Sequence, residues 1–248
     1  MGKILVKGFS NPSEDKKAWN LTDNRFVCIL DIMGFKDMVM RNSHDSIYEM
    51  LNDLSKYRSD LENPNVPDGY DPNSIKTVSF SDTIAIFTKT LDPKCFELLT
   101  YCVGWLFAKA MQDGIAMKGA ISCGKMSINI SRQIFFGQPL IDAHLLHEET
   151  AYYGIVIHDS VERYINSTAT QLKPHVIERY IDCPVPLKSG IISHLILDWA
   201  DWLMDSIPTK KEKIKLALEV LKKQRERTSG PPRKYIDNTL KVITHICN

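Results

Sequence analysis

The sequence predicts an α+β fold, a mixed and mainly antiparallel β-sheet with helices packed on it. Three observations predict this fold. Residues 26–30 form a continuous apolar run with β-branched members, which is typical of a strand buried on both faces. Residues 75–79 and 83–87 are two strand-like runs separated by a short turn, which predicts a hairpin. Apolar residues three and four positions apart, between these strands, predict helices with one buried face.

The composition is ordinary for a soluble globular protein. Of the 248 residues, 44% are hydrophobic and 25% are charged, and the formal net charge is +1. A nearly neutral chain gives no reason to expect a nucleic-acid polymer as a partner. No segment is apolar for the length that a bilayer requires, and residues 1–17 lack the pattern of a signal peptide. We therefore expect a cytoplasmic protein that binds neither nucleic acid nor membrane.

The elements after the first strand follow from periodicity and turn residues. We expect a helix over 35–58 that breaks at Asn42 and Ser43, and a helix that starts at Pro93 and is closed by Gly114. The other expected elements are a loop over 63–74, strands over 117–127 and 153–158, a helix over 138–150, a helix capped by Asp159, strands over 176–181 and 187–197 separated by the residues CPVP, and helices over 210–227 and 233–246.

These elements divide the chain into three parts. Residues 1–24 are a polar leader with a brief strand possibility at 4–6, from which Trp19 packs back on the body. Residues 25–200 are the main domain, and residues 201–248 are a helical extension packed on it. The order of strands and helices in the main domain is that of a ferredoxin-like βαββαβ unit. In such a unit the first strand and the hairpin lie side by side.

Two aspartates are the candidate functional residues. Asp31 follows the buried run, and Asp82 lies in the turn of the hairpin. An ionised carboxylate is costly to bury unless it is paired or binds a metal. If the two strands are neighbours, both carboxylates reach one pair of Mg²⁺ or Mn²⁺ ions, which prefer oxygen ligands. The alternatives are that Asp31 caps the following helix and that Asp82 is an ordinary turn residue.

Four segments resemble the class III nucleotidyl cyclases, and among them the bacterial pyrimidine cyclases of Pycsar anti-phage defence. The resemblance covers about residues 25 to 158 and leaves the C-terminal helices outside it. The segments are LDIMGF, SFSDTIAIF, KGAISCGKM and FFGQPLIDAHLLHEETAYYGIVI, in this order.

The resemblance implies a reaction and its metal site. The ribose 3′-hydroxyl of a nucleoside triphosphate attacks the α-phosphate and gives the 3′,5′-cyclic monophosphate and pyrophosphate. Asp31 and Asp82 are implied to bind two Mn²⁺ or Mg²⁺ ions, with the main-chain carbonyl of Ile32 as a further ligand. One ion lowers the pKa of the hydroxyl, and the other neutralises charge on the phosphates.

The resemblance also implies contacts to the triphosphate. Main-chain amides from Met33, Gly34 and Phe35, at a turn into a helix, are placed to bind the phosphates. Lys188 resembles the late lysine that contacts the polyphosphate. The alternative for Lys188 is a surface lysine beside a turn.

The sequence departs from the purine cyclases at the transition-state residues. Those enzymes carry an asparagine and an arginine on the helix after the glycine of the last segment, and Ile141 and Leu145 stand at these places. None of the polar neighbours of these two places matches by position. These neighbours are Arg132, Asp142, His144, His147 and Glu148. The histidines and the glutamate on the helix could equally face solvent.

It departs from them again at the residues that read the base. Val78 stands at the position of the lysine or glutamate that reads a purine. Lys76 is near this position but does not match it. These departures favour a smaller base. Tyr48, on the helix after the first strand, is a candidate for narrowing the base pocket, although a tyrosine on a helix is usually half-buried packing.

The main hypothesis is a uridylate cyclase that converts UTP to cyclic UMP. Cytidylate cyclase is the closest alternative, because no residue decides between the two bases. The resemblance further implies a head-to-tail homodimer and a separate effector protein that the cyclic nucleotide activates. A purine cyclase with unusual base contacts and a cyclase-like binding module without catalysis are two further hypotheses. An RNA-binding domain is disfavoured by the near-neutral charge.

Overall fold

The computed structural model describes residues 19–62, 69–203 and 209–246. The described residues form one eight-stranded sheet. Its strands are β1 (Thr22–Ile32), β2 (Ile75–Phe80), β3 (Thr83–Thr88), β4 (Met117–Asn129), β5 (Ile134–Gly137), β6 (Ile155–Ile157), β7 (Tyr180–Leu187) and β8 (Gly190–Leu197). The strand order is β2-β3-β1-β4-β6-β8-β7, with β5 paired to β4. Neighbours are antiparallel except β4 and β6, which confirms the mixed and mainly antiparallel sheet.

The described residues also form eight helices. They are α1 (Phe35–Arg41), α2 (His44–Glu62), α3 (Pro93–Gln112), α4 (Gln138–Glu149), α5 (Asp159–Thr168), α6 (Pro174–Ile177), α7 (Lys210–Arg227) and α8 (Arg233–Ile246), with 3-10 turns at Pro72–Ser74 and Trp199–Trp202. None of the helices within the described ranges is long and apolar enough to cross a membrane.

Strand β1 lies between β3 and β4, and both of its faces are covered. On one face, Phe26 packs against the ring of Phe96 on α3, with ring centroids 5.1 Å apart. On the other face, Val27 belongs to a small apolar cluster with Phe87 and Met126. The predicted strand over 26–30 is therefore confirmed as the buried centre of the sheet.

The predicted break in the first helix and the predicted start of α3 are confirmed, whereas α2 runs to Glu62, past the predicted end at residue 58. The helix over 35–58 breaks between α1 and α2, where Asn42 ends the first and the Ser43 hydroxyl accepts from the amide of Ser46 (3.2 Å). Helix α3 begins where the Asp92 carboxylate accepts from the amide of Cys95 (2.9 Å). It ends before Gly114, whose φ of 81° is the left-handed conformation that glycine adopts readily.

The region before the last hairpin differs from the prediction. Val176 and Ile177, expected in a strand, lie in the short helix α6. The residues CPVP, expected to separate two strands, lie inside β7. Strand β7 is an edge of the sheet, so the missing N–H groups of Pro184 and Pro186 can face away from β8 without loss of a ladder hydrogen bond.

Three smaller differences concern the middle of the chain. Strand β6 is shorter than the predicted 153–158, and β5 was not predicted. Helix α5 is capped by His158, whose Nδ1 accepts from the amide of Ser160 (3.3 Å), whereas Asp159 is the first helical residue. An imidazole nitrogen can accept in the same way as a carboxylate, which is why the pattern of acidic caps missed it.

Residues near both ends of the described part of the chain contact the sheet domain through specific hydrogen bonds. The side chain of Asn238 on α8 donates to the carbonyl of Ala151 (2.8 Å), and the Thr239 hydroxyl accepts from the amide of Tyr153 (2.8 Å). The indole of Trp19 donates to the carbonyl of Asn73 (2.8 Å), as expected for a residue that packs back on the body. The strand possibility at residues 4–6 lies outside the described residues.

Candidate functional site

The end of β1 meets the tip of the β2–β3 hairpin. In the antiparallel pairing of β1 with β3, Asp31 stands opposite Thr83, and Asp82 is the turn residue immediately before it. The amide of Ile32 donates to the carbonyl of Asp82 (3.1 Å), and the Thr83 hydroxyl donates to Oδ1 of Asp31 (3.3 Å). The two aspartates, distant in sequence, therefore lie at the same end of the neighbouring strands β1 and β3.

The electrostatics at this end of β1 favour a cation. Burial, with a smaller effect from repulsion by the Asp82 carboxylate, raises the pKa of Asp31 to about 6. The positive charge of Lys118 and the hydrogen bond from Thr83 oppose these two effects. Since the Asp82 carboxylate disfavours the ionised form of Asp31, a divalent cation between them would relieve the repulsion.

The donor set fits a hard divalent ion. Asp31 and Asp82 offer carboxylate oxygens, and the main-chain carbonyl of Ile32, the residue after Asp31, is a further oxygen at the same end of β1. No group of three or more His, Cys, Asp or Glu side chains that would hold a metal is present among the described residues. Mg²⁺ and Mn²⁺ sites of the phosphate-transferring type commonly use one or two carboxylates and complete their shell with water and substrate phosphates.

The turn after β1 presents backbone amides beside the aspartates. Gly34 adopts φ 73° and ψ 17° at the start of α1, a left-handed conformation that reverses the chain at no steric cost to glycine. The amide of Met33 donates to the carbonyl of Ala116 (2.8 Å), so this amide is not free to bind a phosphate. The amides of Gly34 and Phe35 have no acceptor within the described part of the chain. These two amides are the ones available to an anion.

A cavity of about 730 Å³ opens on the helical side of this turn. Met33 and Gly34 line one of its walls, and α7, α8 and the residues between them line another. Neither Asp31 nor Asp82 lines it. This cavity is therefore separate from the aspartate pair.

Two predicted binding residues are exposed in this structure. Tyr48 is 66% exposed on α2. Lys188 is exposed in the turn between β7 and β8, where its Nζ lies 3.6 Å from Oε2 of Glu148. The nucleotide contacts of both residues remain predictions.

Lys118 is a functional candidate that the sequence pattern did not reveal. It stands opposite Asp31 in the pairing of β1 with β4 and is 4% exposed. Its Nζ lies 3.5 Å from the carbonyl of Glu148. Burial lowers the pKa of the Lys118 ammonium, while Glu148 and Asp31 act to raise it. A lysine within the apolar start of the segment KGAISCGKM was the available signal, because lysine is almost never fully buried without a partner.

The polar residues at the end of α4 surround Glu148. His147 is 2% exposed and its Nε2 lies 3.3 Å from Oε1 of Glu148, so the expectation that it could face solvent is wrong. The ring of His144, which is exposed, lies 5.0 Å from that of His147. Burial acts to raise the pKa of Glu148, but the combined charge of Lys118, His147, Lys188 and His144 holds it below its usual range.

The apolar residues at the places where purine cyclases carry polar ones differ in their exposure. Ile141 and Leu145 are 52% and 59% exposed on α4. Val78 is half-buried on β2. Of their polar neighbours, Arg132 is exposed, and Asp142 accepts from the side chain of Gln138 (2.8 Å).

The fold is similar to that of a solved cyclase. The catalytic core of a rhodopsin-guanylyl cyclase with converted specificity, in complex with ATPαS, superimposes with a TM-score of 0.53 and 13% identity, over 71% of this chain and 94% of that chain. At this identity the similarity shows the fold alone, which is that of a class III cyclase catalytic core. No protein-family model matches the chain. No curated protein matches it either.

Proposed function

We propose that this chain is a metal-dependent nucleotide cyclase that converts UTP to 3′,5′-cyclic UMP and pyrophosphate. The observation that carries the proposal is the meeting of Asp31 and Asp82 at the end of β1, on the fold of a cyclase core. In the reaction a bond forms between the ribose O3′ and the α-phosphorus. The bond from that phosphorus to the oxygen bridging to the β-phosphate breaks, and the hydroxyl proton leaves to solvent.

Each part of the site has a role in this reaction. Asp31, Asp82 and the carbonyl of Ile32 would hold two Mn²⁺ or Mg²⁺ ions, which would acidify the hydroxyl and neutralise phosphate charge. The amides of Gly34 and Phe35 would bind phosphate oxygens. The chain's contribution is to fix these oxygens and amides relative to each other, which is most of what phosphoryl transfer needs from a protein.

The preference for a pyrimidine rests on missing purine contacts. Val78, Ile141 and Leu145 offer no hydrogen bonds at the places where purine cyclases bind the base, the ribose and the transition state. Tyr48 would narrow the base pocket. The choice of UTP over CTP follows the activity more often assigned among the pyrimidine cyclases, and cytidylate cyclase is the alternative.

A homodimer would complete the site. The exposed apolar side chains of Ile141 and Leu145 on α4 are suited to contact with a second copy of the chain. Class III cyclases build their sites between two subunits, so a second copy of the chain would complete each of two equivalent sites. In a Pycsar-type defence system, the product would then activate a separate effector protein in the cytoplasm.

Product identification with all four nucleoside triphosphates tests the proposal. The protein is incubated with Mn²⁺ and ATP, GTP, CTP or UTP, and the product is identified by mass spectrometry. Cyclic UMP is the expected product, and cyclic CMP would support the alternative pyrimidine. Formation of cyclic AMP or cyclic GMP alone would overturn the pyrimidine assignment and support a purine cyclase.

The second candidate is a cyclase-like module without catalysis. Ile141 and Leu145 favour it, because they replace the asparagine and arginine on which purine cyclases depend. The proximity of Asp31 and Asp82 favours the enzyme, since a module without catalysis has no need to hold two carboxylates that repel each other. Nucleotide binding without turnover of any of the four triphosphates would identify the module.

A further inference from the structure

The C-terminal helices close a cavity that is separate from the metal site. This cavity, of about 730 Å³, lies between the turn after β1 and the segment that joins α7 to α8. Its volume is that of a site for a small organic molecule, since ligand pockets commonly measure about 300–1,000 Å³. Neither Asp31 nor Asp82 lines the cavity, so a ligand bound there would leave both carboxylates free.

Gln224 on α7 gives this cavity a polar group that the fold leaves unsatisfied. The residue lies on the cavity wall, and both polar atoms of its side-chain amide, Oε1 and Nε2, are buried without a hydrogen-bond partner among the described residues. A buried amide in this state is costly to the fold unless a further group satisfies it. The last side-chain torsion of glutamine is broad, so the amide can turn to a molecule in the cavity.

The remaining walls are largely apolar and include flat rings. The rings of Tyr153 and Tyr235, which both line the cavity, stack at 13° with their centroids 6.2 Å apart. Met38 and Met111 line it as well. Tyrosine rings and methionine sulfur both make favourable contacts with a flat ring. The cavity therefore suits a planar heteroaromatic molecule.

The charged residues of the cavity wall balance each other. Arg41 and Lys223 are positive, and Asp37 and Asp113 are negative. A phosphate group would meet no net positive charge here, so the wall favours a neutral ligand. A glutamine amide can pair with the neighbouring donor and acceptor on the edge of a nucleobase. An uncharged nucleoside has this edge, a planar ring and a fitting size.

We propose that this cavity is a regulatory site for an uncharged nucleoside, whose base pairs with the Gln224 amide and lies against the two tyrosines. Gly34 lines the cavity, and its amide is one of the two available to a phosphate. A nucleoside that holds this turn would fix the amide before the triphosphate arrives, and so tighten triphosphate binding. The site itself does not depend on the proposed function, whereas its effect on turnover rests on it.

Saturation-transfer NMR of the full chain with uridine, cytidine, adenosine and guanosine tests the site. EDTA is present, so that no metal occupies the aspartate pair. We expect one or more of the nucleosides to bind with a Kd below about 1 mM. Gln224→Met is expected to weaken this binding by about tenfold or more, because it removes the groups that pair with the base.

Thermal unfolding without ligand separates this role from a structural one. Methionine keeps the unbranched shape of Gln224 and removes two unpaired polar atoms, so the variant should be at least as stable as the original chain. Gln171→Met, the same substitution at an exposed turn residue, is the matched control and should leave both stability and nucleoside binding unchanged.

Three results would overturn the inference. They are the absence of saturation transfer to all four nucleosides, nucleoside binding that Gln224→Met leaves unchanged, and a ligand-free Gln224→Met variant of lower stability, which would show that the amide is already paired.

Kinetics give the second readout. In an active enzyme the bound nucleoside is expected to lower the KM for the substrate triphosphate by about twofold to fivefold, and an unchanged KM at saturation would overturn the regulatory role. Nucleoside binding that depends on Gln224, in a protein that turns over no nucleotide, would leave the site standing and refute the proposed function.

Discussion

The amide of Ile32 donates to the carbonyl of Asp82 across 3.1 Å, and this backbone hydrogen bond ties the end of β1 to the hairpin tip. The bond fixes the chain that carries both carboxylates without using either side chain. Replacement of Asp31 or Asp82 therefore leaves the backbone geometry intact. Effects of such substitutions on activity can be separated from effects on folding.

Asp31→Ala and Asp82→Ala are each expected to abolish turnover while the protein stays folded. Removal of one carboxylate leaves too few oxygen ligands for two divalent ions. Product formation with Mn²⁺ and the four triphosphates measures activity, and circular dichroism measures folding. Activity that survives in both variants would show that the metal assignment is wrong.

Asp31→Asn is expected to stabilise the metal-free protein at pH 8 but not at pH 4. The pKa of Asp31 is raised from an unfolded value of 3.8 to about 6, so the folded state binds the proton more tightly. Stability therefore falls as pH rises from about 4 to about 6, and the full penalty is present above that range. We expect the Tm to rise by about 2–6 °C at pH 8.

Thermal unfolding in EDTA at the two pH values checks this difference. Asp45→Asn, on the exposed start of α2, is the control and should leave the Tm unchanged at both. An equal change at pH 4 and pH 8 in Asp31→Asn would show that the effect does not come from the charge.

Binding of Mn²⁺ is expected to weaken below about pH 6, by about tenfold per pH unit. The metal must displace the proton that burial and Asp82 hold on Asp31. Calorimetric titration with MnCl₂ between pH 5 and pH 8 measures the affinity. An affinity that does not change across this range would place the metal away from Asp31.

The meeting of the two aspartates was predictable from the sequence, whereas the position of Lys118 opposite Asp31 was not. A buried strand and a hairpin in a ferredoxin-like order leave few ways to arrange them, and Asp31 and Asp82 fall at their ends in each. The partner of Lys118 depends on the register of β1 with β4, which connects Asp31 to a residue far along the chain. Periodicity places a residue on a face of a strand but does not give its cross-strand neighbour.

The edge strand β7 shows a second limit of the sequence. Proline usually ends a strand, so the residues CPVP were expected to separate two strands. Whether a strand lies at an edge depends on the order of the whole sheet, and only an edge tolerates Pro184 and Pro186. The local pattern therefore gave the wrong boundary for a physical reason that lies outside the segment.

Gly119→Ala is expected to destabilise the protein by about 1–3 kcal/mol. A Cβ at this position would lie 2.6 Å from the carbonyl oxygen of Ile29 and 2.5 Å from Cδ2 of Leu30. The backbone oxygen cannot move without disturbing the pairing of β1 with β4, next to Asp31. Urea unfolding measures the loss.

Ser79→Ala, at an exposed position of β2, is the matched control for this effect. It should change the free energy of unfolding by less than about 0.5 kcal/mol. A similarly small change in Gly119→Ala would mean that the two strands separate more easily than their close approach implies.

Leu145→Glu is expected to convert the proposed homodimer to a monomer and to abolish turnover together. Leu145 is 59% exposed on α4, and a buried, unpaired carboxylate at an apolar interface would cost more than the contact contributes. Light scattering after gel filtration measures the mass, and the same samples are assayed for product.

Leu21→Glu introduces the same charge at another exposed leucine (60%) and should remain dimeric and active. A monomeric Leu145→Glu variant with full turnover would show that one chain holds a complete site, and a dimeric one would place the interface elsewhere.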